Sequence, residues 1–231
     1  MRILFLGENS SQLSAECLDA LLKAECGEVT VGIGAVAEQA WRRRVINGLR
    51  RHGLRRELQS FVRRRLRWHD RTIKDILAAH PAASRFEVSN INSPDNVTRL
   101  RTISPDVIFV VAFQQILKPA VIAVPRLGCI NVHPSLLPQY RGPAPYYWAQ
   151  RNRERVTGVT IHYVDEGIDT GDIITQEAFE IETNDNDRSL RKKSAVIGAR
   201  LILETARRLA AGETLPRRPQ DHAQATYFAS P

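Results

Sequence analysis

The chain alternates short apolar runs with longer amphipathic stretches, which is the pattern of a sheet covered by helices. The apolar run Ile3–Leu6 stops at Gly7 and predicts a buried strand. A helix is predicted next, after serines that can cap it, from apolar residues at helical spacing: Leu13, Cys17, Leu18, Leu21 and Leu22. Val29–Ile33 then reads as a second strand. Such a strand, helix and strand predict a parallel pair.

The remaining chain continues this plan. Further strands are predicted at Phe86–Val88, Val107–Ala112, Leu127–His133, Thr157–Val164 and Ile173–Ile181. Further helices are predicted at Asn96–Ile103, Pro145–Arg151 and Asp187–Ala211. These elements predict an α/β fold, with a Rossmann-like, open and mostly parallel sheet flanked by helices. We expect one domain over residues 1–231, with its site at the carboxyl ends of the central strands.

One segment differs in character from the rest. From Glu38 to Ala79 an apolar stripe runs between arginines and predicts one or two amphipathic basic helices, an insertion at about residues 38–80. Arg42–Arg71 holds twelve arginines against two acids, an excess larger than the net charge of +8 of the whole chain. The basicity is therefore local, so an anionic partner is expected for this segment alone. A diphosphate, RNA, an anionic membrane surface and a merely solvated helix face all stay open.

Cysteine content and apolar run length restrict the class of protein. Cys17, Cys26 and Cys129 are odd in number and lack C-x-x-C spacing, so no disulfide framework and no metal site are expected. The apolar run Val107–Phe113 has seven residues, whereas a membrane span needs about 20. The N-terminal apolar run is too short for a secretory signal. We expect a cytoplasmic protein.

Two polar groupings are candidates for chemistry. Asn131 and His133 are two residues apart on a predicted strand and should project from the same face. An amide can donate to a developing oxyanion and an imidazole can transfer protons near neutral pH, although a polar strand end that caps a loop fits the pair as well. The acidic loop Asp165–Asp172 can bring a carboxylate to a histidine, or it can be an exposed turn.

Two long motifs, in this order, resemble the formyltransferase family that uses 10-formyltetrahydrofolate. They are Gly128-Cys-Ile-Asn-Val-His-Pro-Ser-Leu-Leu-Pro-Gln-Tyr-Arg-Gly142 and Gly158-Val-Thr-Ile-His-Tyr-Val-Asp-Glu-Gly-Ile-Asp-Thr-Gly-Asp-Ile-Ile174. The family includes glycinamide ribonucleotide transformylase, methionyl-tRNA formyltransferase, sugar N-formyltransferases and formyltetrahydrofolate deformylase. The resemblance covers the chain from Met1 to about Ile33 and from about Ser104 to Phe228, so the arginine-rich segment lies outside it.

The resemblance implies an enzyme that transfers a formyl group from the cosubstrate 10-formyltetrahydrofolate to a primary amine. Its catalytic trio falls on Asn131, His133 and Asp169, with Asn131 and protonated His133 stabilising the oxyanion and Asp169 holding His133. The pterin of the folate is expected against two loops, at Phe113, Gln114, Gln115, Ile116, Leu117, Val164, Asp165, Gly167 and Asp169. The acceptor is expected against Ser135, Tyr140, Arg141 and Gly142.

The acceptor is inferred from shorter resemblances. Tyr140-Arg-Gly-Pro143 and Pro145-Tyr-Tyr-Trp148 resemble variants that formylate the amino group of a nucleotide-linked sugar, so a small-molecule acceptor is expected. A nucleic acid is disfavoured, since the chain ends at Pro231 without the C-terminal domain of the methionyl-tRNA enzymes. Another amine, hydrolysis by water and a homodimer stay open. A non-catalytic RNA- or membrane-binding protein on the same scaffold is the alternative from another class; salt-sensitive binding lost on replacing Arg63–Arg65, with turnover intact, would favour it.

Overall fold

The computed structural model describes residues 1–34 and 71–230, and these form one seven-stranded sheet in the order β3-β2-β1-β4-β5-β6-β7. The strands are β1 (Arg2–Glu8), β2 (Glu28–Gly34), β3 (Ser84–Val88), β4 (Val107–Val111), β5 (Cys129–His133), β6 (Val156–Tyr163) and β7 (Ile173–Glu180). The first five are mutually parallel, β6 runs antiparallel to β5, and β7 runs antiparallel to β6. The predicted α/β fold with an open, mostly parallel sheet is confirmed.

Six helices accompany the sheet in the described part of the chain. They are α1 (Gln12–Lys23), α2 (Ile73–Ala79), α3 (Pro94–Ile103), α4 (Pro119–Ile122), α5 (Pro145–Arg151) and α6 (Asp187–Ala210), with a 3₁₀ turn at His222–Gln224. Helix α1 begins where Ser11 accepts a hydrogen bond from the Ser14 N–H, and α3 begins at Pro94 after the capping Ser93. The sequence did not predict α4, because four residues are too few to show a helical period.

Helices cover both faces of the sheet. One face packs against α1, α2 and α6 through the larger apolar cluster, which includes Phe5, Leu18, Ile76, Val132 and Ile202. The opposite face packs against α3 and α4 through a smaller cluster that includes Leu100, Val121 and Cys129. A parallel strand buried on both faces reads as a continuous apolar run, as β4 does. Across the described residues, no helix combines the length and apolar character needed to span a membrane.

One predicted strand is shorter than expected, and one predicted segment lies largely outside the described residues. The strand predicted at Leu127–His133 begins only at Cys129, because Gly128 has φ +91° and so leaves the extended conformation. The predicted basic helices fall largely on residues 35–70, which lie outside the described residues. For the same reason the single domain over residues 1–231 stays a prediction.

The end of the arginine-rich segment is described. Helix α2 begins after Thr72, whose hydroxyl accepts from the Asp75 N–H while Asp75 accepts from the Thr72 N–H, a reciprocal capping box. Arg71 donates from both Nη atoms to the carboxylate of Asp19, over 2.9 and 3.2 Å, and this carboxylate is nearly buried. Arg71 therefore has a partner within the chain, on α1.

Candidate active site

Strand β5 carries Asn131 and His133 on one face and the core residues Ile130 and Val132 on the other. Ile130 and Val132 belong to the larger apolar cluster, whereas Cys129 belongs to the cluster on the opposite side. The alternation of a strand then places Asn131 and His133 on the Cys129 side. The prediction that the two polar side chains share a face is confirmed.

Asp169 reaches this face from the loop between β6 and β7. Its backbone has φ +53°, the left-handed conformation, which few residues other than glycine adopt. One carboxylate oxygen, Oδ1, lies 3.6 Å from His133 Nδ1 and 3.4 Å from Asn131 Nδ2. The other, Oδ2, accepts a hydrogen bond of 2.8 Å from the Gly142 N–H. The structure thus brings together Asn131, His133 and Asp169.

A second histidine, His162 on β6, belongs to the same cluster and was not among the residues that the sequence singled out. In the β5–β6 register it lies directly opposite Asn131. Its Nδ1 lies 2.8 Å from the Tyr163 carbonyl, and because a carbonyl can only accept, Nδ1 is the donor. A neutral ring then has its lone pair on Nε2. Asn131 Nδ2 lies 3.0 Å from that nitrogen. His162 therefore orients the Asn131 amide, with its NH₂ group toward His162 and Asp169.

The hydrogen bonds of His133 decide which of its nitrogens can react. Nε2 donates to the Tyr140 carbonyl at 2.8 Å, so a neutral ring has its lone pair on Nδ1, the atom that faces Asp169. Burial lowers the pKa of His133, and this outweighs the opposing charge of Asp169. The resting histidine is thus mainly neutral at neutral pH, and the protonated His133 expected during the reaction stays a prediction.

The carboxyl of Asp169 stays ionised. Burial alone would raise its pKa, but the two adjacent histidines, His133 above all, and the hydrogen bond from the Gly142 N–H hold the pKa well below its usual range. The carboxylate therefore faces the lone pair of His133 Nδ1 across 3.6 Å with no proton between them. A proton arriving at Nδ1 would be held by the adjacent negative charge, so His133 is arranged to accept one.

The side chains predicted to contact the acceptor are largely engaged within the chain. Ser135 is buried and donates to the Gln139 carbonyl at 2.8 Å, and the Tyr140 hydroxyl bonds to Glu154. Arg141 is buried and donates to the side chain of Gln220. Gly142 uses its N–H for Asp169 and has φ +93°. Contact of these four residues with an acceptor stays a prediction.

The loops predicted to hold the folate border the face that carries Asn131 and His133. Phe113 and Val164 both pack, partly buried, against the smaller apolar cluster. The Gln114 amide donates to Glu8 and the Gln115 amide to the Val88 and Ser89 carbonyls, so these side chains shape the loop.

Within residues 1–34 and 71–230, the backbone N–H groups from Gln114 to Leu117 have no hydrogen-bond partner, and the Ile116 side chain is 64% exposed. Free backbone donors beside an exposed apolar side chain suit a flat heterocycle with ring acceptors. The loop therefore fits a pterin, and its contacts with the cosubstrate stay a prediction.

Curated relatives match part of the chain. Methionyl-tRNA formyltransferase of Syntrophomonas wolfei subsp. wolfei is 46% identical over 144 residues, which are 62% of this chain and 46% of that protein. Methionyl-tRNA formyltransferase of Synechococcus sp. (strain JA-3-3Ab) is 48% identical over 134 residues, 58% of this chain and 41% of that protein. The chain thus spans less than half the length of these relatives.

Solved structures match nearly the whole chain. Glycinamide ribonucleotide transformylase 1 from Symbiobacterium toebii has a TM-score of 0.68 at 20% identity, over 95% of this chain and 93% of that chain. WlaRD, a sugar 3N-formyl transferase, also has a TM-score of 0.68, at 21% identity, over 99% of this chain and 69% of that chain. At these identities the likeness shows the fold.

The family itself is shown by a model described as formyl transferase, which matches residues 1–206. The predicted family is confirmed, and this family uses 10-formyltetrahydrofolate as its cosubstrate. With Asn131, His133 and Asp169 assembled on a sheet of this fold, the chain belongs to the formyl transferase family.

Proposed function

We propose that this protein transfers the formyl group of 10-formyltetrahydrofolate to a primary amine at the Asn131, His133 and Asp169 cluster. The observation that carries the proposal is the convergence of an amide donor and a neutral imidazole on one oxygen of an ionised carboxylate, at 3.4 and 3.6 Å. Acyl transfer to an amine needs a donor for the developing oxyanion and a group that moves a proton. The cluster supplies both.

Each group has a separate role in the proposed reaction. When bound, 10-formyltetrahydrofolate supplies an N-formyl carbonyl carbon as the electrophile. Asn131 donates an N–H to the formyl oxygen as negative charge develops there; the proton it uses is the one that makes only the long 3.4 Å contact with Asp169. His133 Nδ1 accepts the proton that the attacking amine loses and returns it to the departing folate nitrogen, while Asp169 stabilises the transient imidazolium.

The proposed acceptor is the amino group of a nucleotide-linked amino sugar. The resemblance of Tyr140-Arg-Gly-Pro143 and Pro145-Tyr-Tyr-Trp148 to enzymes of that kind supports it. Aromatic rings suited to stacking on a nucleobase also lie close to the cluster. Tyr227 is 56% exposed, and its ring lies beside Gly142, whose N–H binds Asp169.

Methionyl-tRNA is a second candidate acceptor, and the sequence relatives favour it. Proteins named methionyl-tRNA formyltransferase are 41–48% identical to this chain over 57–62% of its length. The reacting group would again be an uncharged primary amine, so the chemistry of the cluster stays the same. A nucleic-acid partner is therefore part of the test, although the sequence alone disfavoured one.

A cytoplasmic location belongs to the same proposal. Cys17, Cys26 and Cys129 all carry free thiols. Free thiols are typical of proteins in a reducing compartment.

The test follows consumption of 10-formyltetrahydrofolate by absorbance in the presence of amino-sugar nucleotides, methionyl-tRNA or no acceptor. We expect turnover that requires an amino-sugar nucleotide and is lost in His133→Ala. His80→Ala is the matched control, because His80 ends α2 away from the cluster and should leave turnover unchanged. Turnover with methionyl-tRNA alone would move the assignment to the second candidate, turnover without acceptor would indicate a deformylase, and no turnover in any mixture would refute the proposal.

A further inference from the structure

The C-terminal segment, residues 216–230, lies against two loops of the cluster. One is the acidic loop, and the other is the loop between β5 and α5, which holds Arg141 and Gly142 and is called the acceptor-side loop below. The segment exchanges two backbone hydrogen bonds with Ile173, the first residue of β7 after the acidic loop; both join Arg218 to Ile173, at 2.8 and 3.0 Å. It exchanges two more with the acceptor-side loop, since Arg141 donates to Thr226 at 2.9 Å and accepts from Phe228 at 3.0 Å. One segment therefore ties both loops to each other.

Gln220 is the buried side chain of this segment, with 6% exposure among residues that are almost all exposed. Its Nε2 donates to the backbone carbonyl of Asp169 at 2.9 Å and to that of Gly171 at 2.7 Å. Both protons of the amide thus bind the acidic loop, one at Asp169 itself and one two residues later.

Arg141 fixes which way the Gln220 amide points. Its Nε and Nη2 both donate to Gln220 Oε1, at 3.2 and 2.7 Å, and Nη2 also lies 3.1 Å from His222 Nδ1. A flipped amide would place its NH₂ group against the guanidinium and its oxygen against two carbonyls, so only the observed orientation satisfies every group. Arg141 and Gln220 form one buried network that ends at Asp169.

Other bonds hold the Asp169 carboxylate, which accepts from the Gly142 N–H, and the end of the acidic loop, where the Asp172 carbonyl accepts from the Tyr163 N–H. The loop's internal side-chain hydrogen bonds run from Gly167 and Thr170 to Asp165, at the start of the loop. Asp169 has a left-handed backbone, φ +53°, that costs a non-glycine residue free energy unless neighbouring groups fix it. The bonds from Gln220 act on that residue and on Gly171, two positions later.

We infer that Gln220, held by Arg141, is a positioning residue that sets the distance between the Asp169 carboxylate and His133. The inference rests on the role proposed above for Asp169. Gln220 touches no reacting atom, so its removal should weaken the transition state and leave cosubstrate binding nearly intact. Arg141, expected from the sequence to contact the acceptor, acts through Gln220 in this account.

The test compares Gln220→Leu with Gln224→Leu, the same change on the same segment at an exposed glutamine whose side chain, among the described residues, bonds only to Asp221. Gln220→Glu is the third variant, because it keeps an oxygen for Arg141 and loses both N–H donors. For each we would measure kcat, the KM for 10-formyltetrahydrofolate, the folded fraction and the pKa of His133 by NMR of its ring, assigned with His133→Ala.

We expect kcat to fall by about tenfold or more in both Gln220 variants, with the KM nearly unchanged. In Gln220→Leu the pKa of His133 should fall further, because Asp169 is the charge that raises it. A retreat of the carboxylate by about 1.5 Å corresponds to roughly one pH unit at an effective dielectric constant of ~20. Gln224→Leu should match the wild type in every measurement.

Two results would overturn the inference: a Gln220→Leu protein with the kcat and His133 pKa of the wild type, or a loss of activity that only tracks the loss of folded protein. If Gln220→Leu fails to fold, Gln220→Glu decides through its kcat and KM. Asp169→Asn, measured beside them, distinguishes a failure of the role proposed for Asp169 from a failure of the positioning by Gln220. Full activity in that variant would refute the role of Asp169, whereas an inactive Asp169→Asn with an unaffected Gln220→Leu would refute only the positioning.

Discussion

Replacing Asp169 by asparagine removes one charge from the cluster and little volume. Asparagine keeps an oxygen for the Gly142 N–H, so the loop should retain its backbone hydrogen bonds. The lost charge lies 3.6 Å from His133 Nδ1, and the carboxylate is only 15% exposed, so water screens the pair weakly. At an effective dielectric constant of ~20, a charge pair at that distance is worth about 4 to 5 kcal/mol.

This energy is available only when His133 becomes protonated during the reaction. Each 1.36 kcal/mol lost from the transition state lowers the rate about tenfold, so we expect kcat to fall by roughly three orders of magnitude in Asp169→Asn. The KM for 10-formyltetrahydrofolate should change far less. The pKa of His133 should also fall below its wild-type value, since burial then acts without an opposing charge.

The assay is cosubstrate consumption at saturating acceptor, combined with NMR titration of the His133 ring in the free protein. His80→Ala serves again as the control variant. A kcat within tenfold of the wild type, together with an unmoved His133 pKa, would contradict the electrostatic coupling between the two groups.

Three further predictions test the histidines and the packing of the sheet. Burial lowers the pKa of His133, so the unfolded chain binds a proton on this residue at higher pH than the folded chain does. Lowering the pH from about 7.5 to about 5.5 should therefore lower the free energy of unfolding of the wild type more than that of His133→Gln. Equal losses in urea unfolding would contradict this. His162→Leu should lower kcat by about tenfold by releasing the Asn131 amide, less than the factor of about 10² to 10³ expected for Asn131→Ala, and the ratio of the two rates decides. Gly158→Ala would place a Cβ 2.3 Å from a backbone oxygen and should lower the free energy of unfolding by about 2 to 3 kcal/mol. Gly212→Ala, with open space around its Cβ but φ +78°, should lower it by about 1 kcal/mol, and similar losses in the two variants would refute the steric argument.

Local sequence signals predicted the part of the site that lies on β5. An apolar run fixed the strand, and the period of two then placed Asn131 and His133 on one face without any knowledge of neighbouring strands. The acidic loop was also predicted between its glycines. The place of the Asp169 carboxylate in the site was predicted only from the family resemblance, because the sequence of the loop alone does not indicate that Asp169 lies against β5.

The residues that the sequence missed depend on contacts between distant segments. His162 faces Asn131 only through the register of β5 with β6, and one sequence does not state a register. Gln220 lies 51 positions from Asp169 along the chain. Arg141 stands in a loop typical of substrate contacts, yet its guanidinium turns inward because Gln220 offers it a buried acceptor.

Strand β5 takes part in both the hydrophobic core and the site, since Ile130 and Val132 pack in the core on one face while Asn131 and His133 lie on the other. The groups that would contact an acceptor lie instead on the loop after this strand and on the C-terminal segment. These two segments also hold Asp169, through the Gly142 N–H and the Gln220 amide, so a change on the acceptor side is expected to move the carboxylate as well. Acceptor choice and the proposed chemistry are therefore coupled through Asp169, whereas Asn131 and His133 are held by the core.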